Sequence, residues 1–218
     1  VSERSKVDQG GFGKRQVVLA SASPARRGLL RAAGVEPLIQ ASNVDEDAVS
    51  NSAAGIDLGV PELAQLLAES KCADVALKLA GSDAIVIGCD SILEWEGSAL
   101  GKPESAEVAT ARLRKMQGTS GVLHTGHAVR DLATGRSVGR AVGTRVDFAP
   151  MSDAHIDAYV RTGEPLAVAG SFTLDGLSSP FVAGIDGDPS NVIGLSMPLL
   201  RELLAEIGVD WLRVVEYA

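Results

Sequence analysis

The sequence predicts an α/β fold in which helices pack against a mixed β-sheet, and three observations lead to that expectation. Aromatic residues make up only 4% of the chain while alanine, leucine, valine and glycine are abundant, which favours helices packed closely on a sheet over an all-β sandwich. Short apolar runs alternate with stretches of helical periodicity. Two long alternating segments joined by a turn add antiparallel strands. With 218 residues, the chain has the length of one folding unit.

The first strand and the first helix are predicted to meet at a short polar turn. Residues 17–20 form an apolar, β-prone run, and Leu29 and Ala33 then recur at helical spacing. Ser23 is suited to the N-cap and Pro24 to the first helical position, so the helix is predicted to begin there.

The next elements are a second strand, a loop, a helix and a central strand. Residues 36–41 read as the second strand, and the polar, acidic and glycine-containing residues 42–59 read as a loop. Residues 61–79 carry one apolar stripe and predict a helix. Residues 84–89 are apolar throughout, as in a strand covered on both faces, which places Asp90 at the carboxyl end of that strand.

The second half of the chain predicts a hairpin between helices. A glycine-interrupted β segment is predicted at residues 92–100 and a helix at 104–117. The two hairpin strands follow at 122–130 and 138–148, and two further helices at 152–160 and 198–207. Residues 16–218 are predicted to form a single domain. Residues 1–15 are polar and are predicted to lie outside it, as a disordered extension or an artificial addition.

Composition and charge narrow the classes of function. A net charge of −8 argues against general nucleic-acid binding, which needs a basic face, and favours one small anionic ligand. No apolar run is long enough for a transmembrane helix, and no signal-peptide core is apparent, so no membrane association is expected. Cys72 and Cys89 are expected to be small buried core residues rather than a disulfide or metal framework, which suggests a reducing cytoplasm.

The turn between the first strand and the first helix predicts a phosphate site. It holds Ser21 and Ser23, with Arg26 and Arg27 in the first helical turn. There the helix dipole disfavours each exposed cation by about 0.3–1 kcal/mol. A bound polyphosphate would reverse that penalty, because it accepts hydrogen bonds from backbone N–H groups, serine hydroxyls and guanidinium groups together. The alternative is a pair of solvated surface arginines.

Four further residues are candidates for catalysis. Asp90 follows a central strand, and ligands of open α/β sheets bind beyond the carboxyl ends of strands; the alternative is an aspartate that caps a turn. Glu46 lies in an acidic run that is either solvated surface or, with Asp90, a site for a divalent cation of the Mg²⁺ type. Lys102 precedes a predicted helix N-terminus and is either a phosphate-binding or a surface lysine. Lys71 flanks the apolar stripe of the helix at 61–79.

Several chemistries have no motif in the chain. The histidines His124, His127 and His155 lack a metal-ligand spacing on one helix, so structural or surface roles are expected. There is no nucleophile elbow, no Walker loop and no G-x-G-x-x-G after a strand, which disfavours covalent catalysis.

Nine short motifs follow one another along residues 17–208: SASPARRGLL, VDED, ESKCADVA, GCDS, LGKPES, LHTGHAV, YVRTGEP, AGSFTLDG and NVIGLS. In this order and spacing they resemble the Maf family of nucleoside triphosphate pyrophosphatases, also called septum formation inhibitor proteins. The resemblance implies an elongated, twisted mixed sheet flanked by helices, related to the inosine triphosphatases, with a site in a cleft between two lobes. It also implies metal-dependent hydrolysis of a nucleoside triphosphate to the monophosphate and pyrophosphate, with Mg²⁺ or Mn²⁺ as cofactor. A homodimer, removal of noncanonical nucleotides and a link to septation are implied as well.

Carried over position by position, the resemblance makes Asp90 the proton acceptor for the attacking water and Glu46 a carboxylate near the metal. From their residue types, Glu46 and Asp90 are expected to hold that metal together. The remaining site positions correspond to the family's lysines and triphosphate-binding residues: Lys71, Lys102, Ser21, Ser23 and Arg26. The main alternative is a nucleotide-binding regulator of septation with little catalysis. A simple phosphatase is a third reading, but the chain lacks the aspartyl-nucleophile or histidine arrangement expected for it.

Four positions depart from family patterns. Ala25, Ser91 and Asp175 stand where the subgroup acting on thymidine and uridine triphosphates carries Arg, Thr and Gln, so a strict preference for those nucleotides is not expected. A carboxylate at Asp175 can accept hydrogen bonds from a purine's N1–H and amino group, or counter the charge of a methylated base. Ser196 stands where the family usually carries Pro, at the entry to the last helix.

Overall fold

The computed structural model describes residues 14–53 and 58–216, in which strands and helices are interspersed along the chain. The strands of these residues are β1 (Val17–Leu19), β2 (Leu38–Ile39), β3 (Ile85–Trp95), β4 (Ser98–Leu100), β5 (Ser120–Asp131), β6 (Ser137–Phe148) and β7 (Val182–Asp186). The α-helices are α1 (Pro24–Ala32), α2 (Glu46–Ala53), α3 (Val60–Lys78), α4 (Ala106–Met116), α5 (Asp153–Arg161), α6 (Pro189–Ile193) and α7 (Met197–Glu206).

The strands form one mixed sheet in the order β2, β1, β3, β5, β6, β7, with β4 paired to β3. β1 is parallel to β2 and to β3, whereas the pairs β3 and β5, β5 and β6, and β6 and β7 are antiparallel. The mixed α/β fold expected from the sequence is therefore confirmed. The predicted hairpin is β5 and β6, which pair from Ser120 opposite Asp147 to Arg130 opposite Ser137. β7 lies in a stretch that the sequence analysis did not assign to a strand, since its small residues carry little periodicity.

Helices cover both faces of the sheet. α3 packs on the face that presents Val18, Val86 and Ala128, and α7 packs on the opposite face, against Ile87 and Val129. Successive side chains of a strand point to opposite faces, so each central strand contributes to both layers. This arrangement buries the long central strands, as the apolar run in β3 predicted.

Separate apolar cores occupy the two ends of the long strands. At one end, β1 and the start of β3 pack with α7 around Leu19 and Ile85. At the other end, Leu93 of β3 packs with Phe148 and Phe172, whose rings meet edge to face at a centroid distance of 5.0 Å. The middle of β3, including Asp90, lies between these two cores.

Two predictions about local structure are wrong. Residues 42–59 are not a continuous loop, because α2 begins at Glu46; Asp45 Oδ1 accepts the Ala48 N–H at 2.9 Å, and acidic residues in a first turn suit the helix dipole. Residues 54–57 of that predicted loop lie outside the described residues. Asp90 does not end its strand either, because β3 continues to Trp95 in antiparallel pairing with β5.

The folded part of the chain begins before residue 16. Arg15 was predicted to lie outside the domain, yet it is buried. Its guanidinium donates to Asp131 Oδ1 at 2.5 Å, and its backbone N–H donates to the backbone carbonyl oxygen of Arg213 at 2.8 Å. An arginine among polar residues carries no local sign that a carboxylate 116 positions later will pair with it. The rest of the predicted extension, residues 1–13, lies outside the described residues. Within residues 14–53 and 58–216, no helix is both long and apolar enough to cross a membrane.

Candidate active site

The candidate site is a notch in the sheet where β1 stops and β3 continues. β1 pairs with β3 only as far as Leu19 opposite Ile87, and the Ala20 N–H donates the last bond, at 2.8 Å, to Ile87 O. Between that point and Leu93, where β4 begins to pair with β3, the edge of β3 next to β1 has no strand partner. Asp90 points from this open stretch toward α3, and Ser91 points to the opposite face. Asp90 therefore lies at the carboxyl end of the parallel part of the sheet, although it lies within its own strand.

Arg26 closes the open edge of β3. One guanidinium nitrogen, Nη1, donates to Cys89 O at 2.9 Å and to Ser21 Oγ at 3.1 Å, and Nη2 donates to Ser91 Oγ at 3.1 Å. Nε donates to Gly194 O at 2.7 Å, in the turn between α6 and α7. Four of the five guanidinium N–H groups are thus bonded to the protein. Carbonyl and hydroxyl oxygens compensate this cation in the first turn of α1, so a bound anion is not required for that purpose.

Ser21 and Ser23 shape the turn that leads into α1. Ser23 is the N-cap, as predicted, and its Oγ accepts the Arg26 N–H at 3.3 Å, with Pro24 in the first turn. Ser21 Oγ accepts the Ser23 N–H at 3.2 Å in addition to the bond from Arg26. Both hydroxyls are partly exposed, so each has remaining hydrogen-bonding capacity toward a ligand. Arg27, in contrast, is exposed and lies 3.9 Å from the Glu36 carboxylate.

Lys71 joins two carboxylates at the notch. Its ammonium lies 2.5 Å from Asp90 Oδ1 and 2.8 Å from Glu46 Oε1. Lys71 and Asp90 are buried, whereas the Glu46 side chain at the start of α2 is about half exposed. Three elements thus meet at one cation, with α3 contributing the lysine, β3 the aspartate and α2 the glutamate.

The groups around Asp90 shift the pKa of its carboxyl in opposite directions. Burial raises the pKa of the Asp90 carboxyl above its ordinary value. The ammonium of Lys71 and the guanidinium of Arg26 hold that pKa down, while the negative charge of Glu46 adds to the rise. A buried carboxylate with two cations beside it is the arrangement expected of a proton acceptor or a cation ligand.

Asp90 and Glu46 are suited to share a divalent cation. Their oxygens already converge on one positive charge, that of Lys71. Mg²⁺ commonly takes one or two carboxylates and completes its shell with waters and substrate phosphates. In the described part of the chain, no group of three or more His, Cys, Asp and Glu side chains is placed to hold a metal. The residues present therefore fit a cation that binds together with its phosphate substrate, rather than one held by the protein alone.

The remaining predicted residues make fewer side-chain contacts than those at the notch. Ala25 is partly buried in the first turn of α1, and Ser91 Oγ also lies 2.9 Å from Thr125 Oγ1 on β5. Lys102 is exposed in the turn before α4 and makes no hydrogen bond or ion pair to any described residue. Asp175 is exposed on the loop after Phe172.

A buried histidine is a feature of the site that the sequence analysis did not place there. His127 Nε2 accepts the Ser196 N–H at 2.8 Å, at the start of α7. Burial lowers the pKa of His127 to about 4, and the Arg26 guanidinium adds to that shift. Ser196 N–H exists because this chain lacks the proline that the family usually carries there, since proline has no N–H to donate. The pair His127 and Ser196 therefore steadies the turn whose Gly194 carbonyl accepts from Arg26.

The two other histidines make local contacts, and the two cysteines lie in the core as the sequence predicted. His124 Nε2 lies 2.8 Å from Glu94 Oε2, and His155 Nδ1 lies 3.0 Å from the Oγ of Ser152, the N-cap of α5. Cys72 and Cys89 are free and buried.

The fold and the notch together define an α/β protein with a buried carboxylate next to a serine- and arginine-lined turn. A sequence profile of the family described as Maf-like protein matches residues 16–207, and the chain belongs to that family.

Named relatives cover nearly the same length. The chain is 55% identical over 195 residues to a protein of Streptomyces coelicolor named nucleoside triphosphate pyrophosphatase, covering 89% of this chain and 92% of the relative. Proteins of the same name in Rhodococcus jostii and Salinispora tropica are 52% and 49% identical, covering 88% and 89% of this chain and 92% and 84% of the relatives.

Proposed function

We propose that this protein is a nucleoside triphosphate pyrophosphatase, which hydrolyses its substrate to the nucleoside monophosphate and pyrophosphate. The observation that carries the proposal is the convergence of Lys71, Asp90 and Glu46 at the notch, next to the turn of Ser21 and Ser23. Relatives that bear this name and are 49–55% identical support it.

Asp90 is the proton acceptor in the proposed reaction. A water oxygen attacks the α-phosphorus, its proton passes to the Asp90 carboxylate, the bond between the α-phosphorus and the bridging oxygen breaks, and pyrophosphate leaves with the bonding electrons. Lys71 and Arg26 favour the ionised form of Asp90 that this step needs. Glu46 and Asp90 would hold a divalent cation, Mg²⁺ or Mn²⁺, which would neutralise charge on the phosphate oxygens.

The turn at the start of α1 binds the triphosphate in this proposal. Ser21 and Ser23 contribute hydroxyls, and Arg26 contributes its charge and its one unbonded N–H group. Lys102 is free of protein partners among the described residues and supplies a further cation to the leaving pyrophosphate.

Three residues are proposed to act on the base. Ala25 leaves room where related subgroups carry a larger residue, Ser91 lines the notch, and Asp175 accepts hydrogen bonds from purine donors or faces a methylated, cationic purine. The protein is accordingly proposed not to be restricted to thymidine and uridine triphosphates.

The wider proposal is a cytoplasmic homodimer that removes noncanonical or modified nucleotides, with a link to cell division. The acidic net charge of −8 favours a small anionic substrate over nucleic acid, and the two free cysteines are compatible with a reducing compartment.

Release of pyrophosphate in the presence of Mg²⁺ or Mn²⁺ tests the activity. We expect Asp90→Asn to lower turnover by about 10³-fold while nucleotide binding and the circular dichroism spectrum are retained, because the amide keeps the shape but cannot take the proton. Asp153→Asn, which removes an exposed carboxylate paired with Arg114, is the matched control and should leave turnover unchanged.

The products separate the alternatives. Orthophosphate in place of pyrophosphate would indicate a simple phosphatase, and nucleotide binding without product would indicate a septation regulator. Turnover of Asp90→Asn at the wild-type rate would contradict the role given to Asp90.

A further inference from the structure

The loop that carries Asp175 is closed on itself by hydrogen bonds. The Thr173 N–H donates to Ser178 Oγ at 2.7 Å, and Ser178 Oγ donates back to Thr173 O at 3.0 Å. Ser178 is buried, with 3% of its surface exposed, so the base of the loop is anchored in the protein. Residues 173–178 thus form a short ring rather than an open excursion of the chain.

A carboxylate from another segment fills the centre of that ring. Glu164, which follows α5, accepts hydrogen bonds from Thr173 Oγ1 at 2.9 Å and from the Leu177 N–H at 2.9 Å, both through Oε1. Glu164 Oε2 lies 3.2 Å from the same N–H group. The Glu164 carboxylate thus bonds to both ends of the loop, at Thr173 and at Leu177. Hydrogen bonds to an ionised acceptor are about twice as strong as neutral ones.

The ring is wrapped too tightly around Glu164 to admit a side chain at Gly176. A Cβ at that position would lie 2.4 Å from Thr173 Oγ1 and 2.7 Å from Glu164 Oε1. On the other side of the tip, Leu174 packs against the core that contains Phe172. The chain neighbours of Asp175 are therefore held on both sides.

Asp175 itself is left free. Its side chain is exposed and makes no hydrogen bond or ion pair to any residue in the described ranges. A carboxylate whose backbone is pinned and whose oxygens are unused is preorganised to recognise a ligand, because the entropy of ordering it has been lost on folding.

We infer that Glu164 is a positioning residue for nucleobase selection, holding the 173–178 loop so that Asp175 meets a purine bearing two adjacent N–H donors. This inference rests on the proposed function. A carboxylate accepts from the N1–H and amino group of guanine together, whereas uracil offers one N–H flanked by two carbonyl oxygens that repel it. A site built to bond such donors discriminates strongly against a base that lacks them, provided that the acceptor is held in place.

The selectivity ratio, kcat/KM for GTP divided by kcat/KM for UTP, tests the inference. We expect Glu164→Ala to lower this ratio by about tenfold, since a displacement of about 1 Å at a recognition group has effects of that order or larger. Thr173→Val removes one hydroxyl bonded to Glu164 and should lower the ratio. Thr173→Ser keeps the hydroxyl and should leave the ratio at the wild-type value. A loss of folded protein lowers both rates equally and leaves the ratio unchanged.

Two further variants complete the design. Asp175→Asn should lower the ratio at least as far, and adding Glu164→Ala to it should cause no further fall, because both changes act through the same carboxylate. Glu202→Ala removes an exposed carboxylate on α7 and should leave the ratio at the wild-type value.

The inference fails if Glu164→Ala and Thr173→Val keep the wild-type ratio, or if Asp175→Asn does. Dissociation constants for non-hydrolysable GTP and UTP analogues, measured by calorimetry, provide the same ratio without turnover. They keep the inference testable if no pyrophosphate is released, an outcome that would refute the proposed function alone.

Discussion

Gly126→Ala is predicted to push α3 away from the sheet and to disable the candidate site. Gly126 lies on β5 directly opposite Asp90 of β3. A Cβ at this position would lie 2.2 Å from the Ala64 carbonyl oxygen, an atom of the α3 backbone. Ordinary contacts begin at 3.4 Å, so the helix must retreat by roughly 1 Å before the methyl group fits.

The size of the effect follows from that retreat. Overpacking of this kind typically costs about 1–3 kcal/mol, and in a chain of this length each kcal/mol lowers Tm by about 2–4 °C. Lys71 is on the same helix, and its ammonium lies 2.5 Å from Asp90 Oδ1. A displacement of about 1 Å takes this pair out of good hydrogen-bond range. We therefore expect a Tm lower by about 2–12 °C and pyrophosphate release lower by about 10²-fold.

Urea unfolding, thermal unfolding and pyrophosphate release on the same samples measure both effects. Gly28→Ala is the matched control, because a Cβ there has nothing within 4 Å and the residue lies in α1. Alanine is the better helix former, so the same chemical change should stabilise the protein by up to about 1 kcal/mol. If Gly126→Ala unfolds at the wild-type urea concentration, α3 does not approach the sheet as closely as described and the reasoning is refuted.

Two further predictions concern pH and substrate. The pKa of His127 is about 4 in the folded protein, whereas its ordinary value is 6.5. Between these pH values the unfolded chain therefore binds one proton more than the folded chain. The contribution of His127 to the free energy of unfolding is complete above pH 6.5 and falls by up to about 1.4 kcal/mol per pH unit below it. His127→Gln should make the urea-derived stability fall less steeply between pH 6.5 and pH 5, and parallel curves for the two proteins would disprove this. Turnover of the common nucleoside triphosphates and 7-methyl-GTP, measured side by side, should show no strict preference for dTTP and UTP, and a clear preference for those two would contradict the roles given to Ala25 and Asp175.

Elements with strong local signals were predicted well. The apolar stripe placed a helix at residues 61–79, and α3 spans Val60–Lys78. Ser23 and Pro24 marked the start of α1 because capping depends on residues within one turn of each other. The alternating segments at 122–130 and 138–148 correspond to β5 and β6.

Errors arose where a longer-range partner decides the structure. The acidic residues around Glu46 resemble a solvated loop, but they start α2, and Glu46 then pairs with Lys71. The polar residue Asp90 suggests the end of a strand, yet β5 continues beside it and supplies hydrogen-bond partners as far as Glu94. In both cases the local pattern is ambiguous, and the tertiary neighbour resolves it.

The role of Arg26 illustrates the same limit at the site. Two arginines in a first helical turn suggested an anionic ligand, because the helix dipole alone disfavours them. The structure instead offers Arg26 a carbonyl acceptor from Gly194, 168 positions away, and leaves Arg27 at the surface. The motif resemblance names Arg26 and not Arg27 as a triphosphate-binding residue, and the fold shows the physical difference between them, since Arg26 is buried among acceptors and Arg27 is exposed.

By itself, the sequence determined the α/β class, the main helices and strands, the family, and the residue types available for phosphate chemistry. Those features depend on periodicity, caps and motif order, all of which act over a few residues at a time. Only the tertiary structure decided that Asp90, Lys71 and Glu46 share one ionic contact, that Gly126 lets α3 come close enough for it, and that Glu164 holds the loop of Asp175. These depend on strand register and on the depth to which a helix sits on the sheet, and both are set by contacts between residues far apart in the chain.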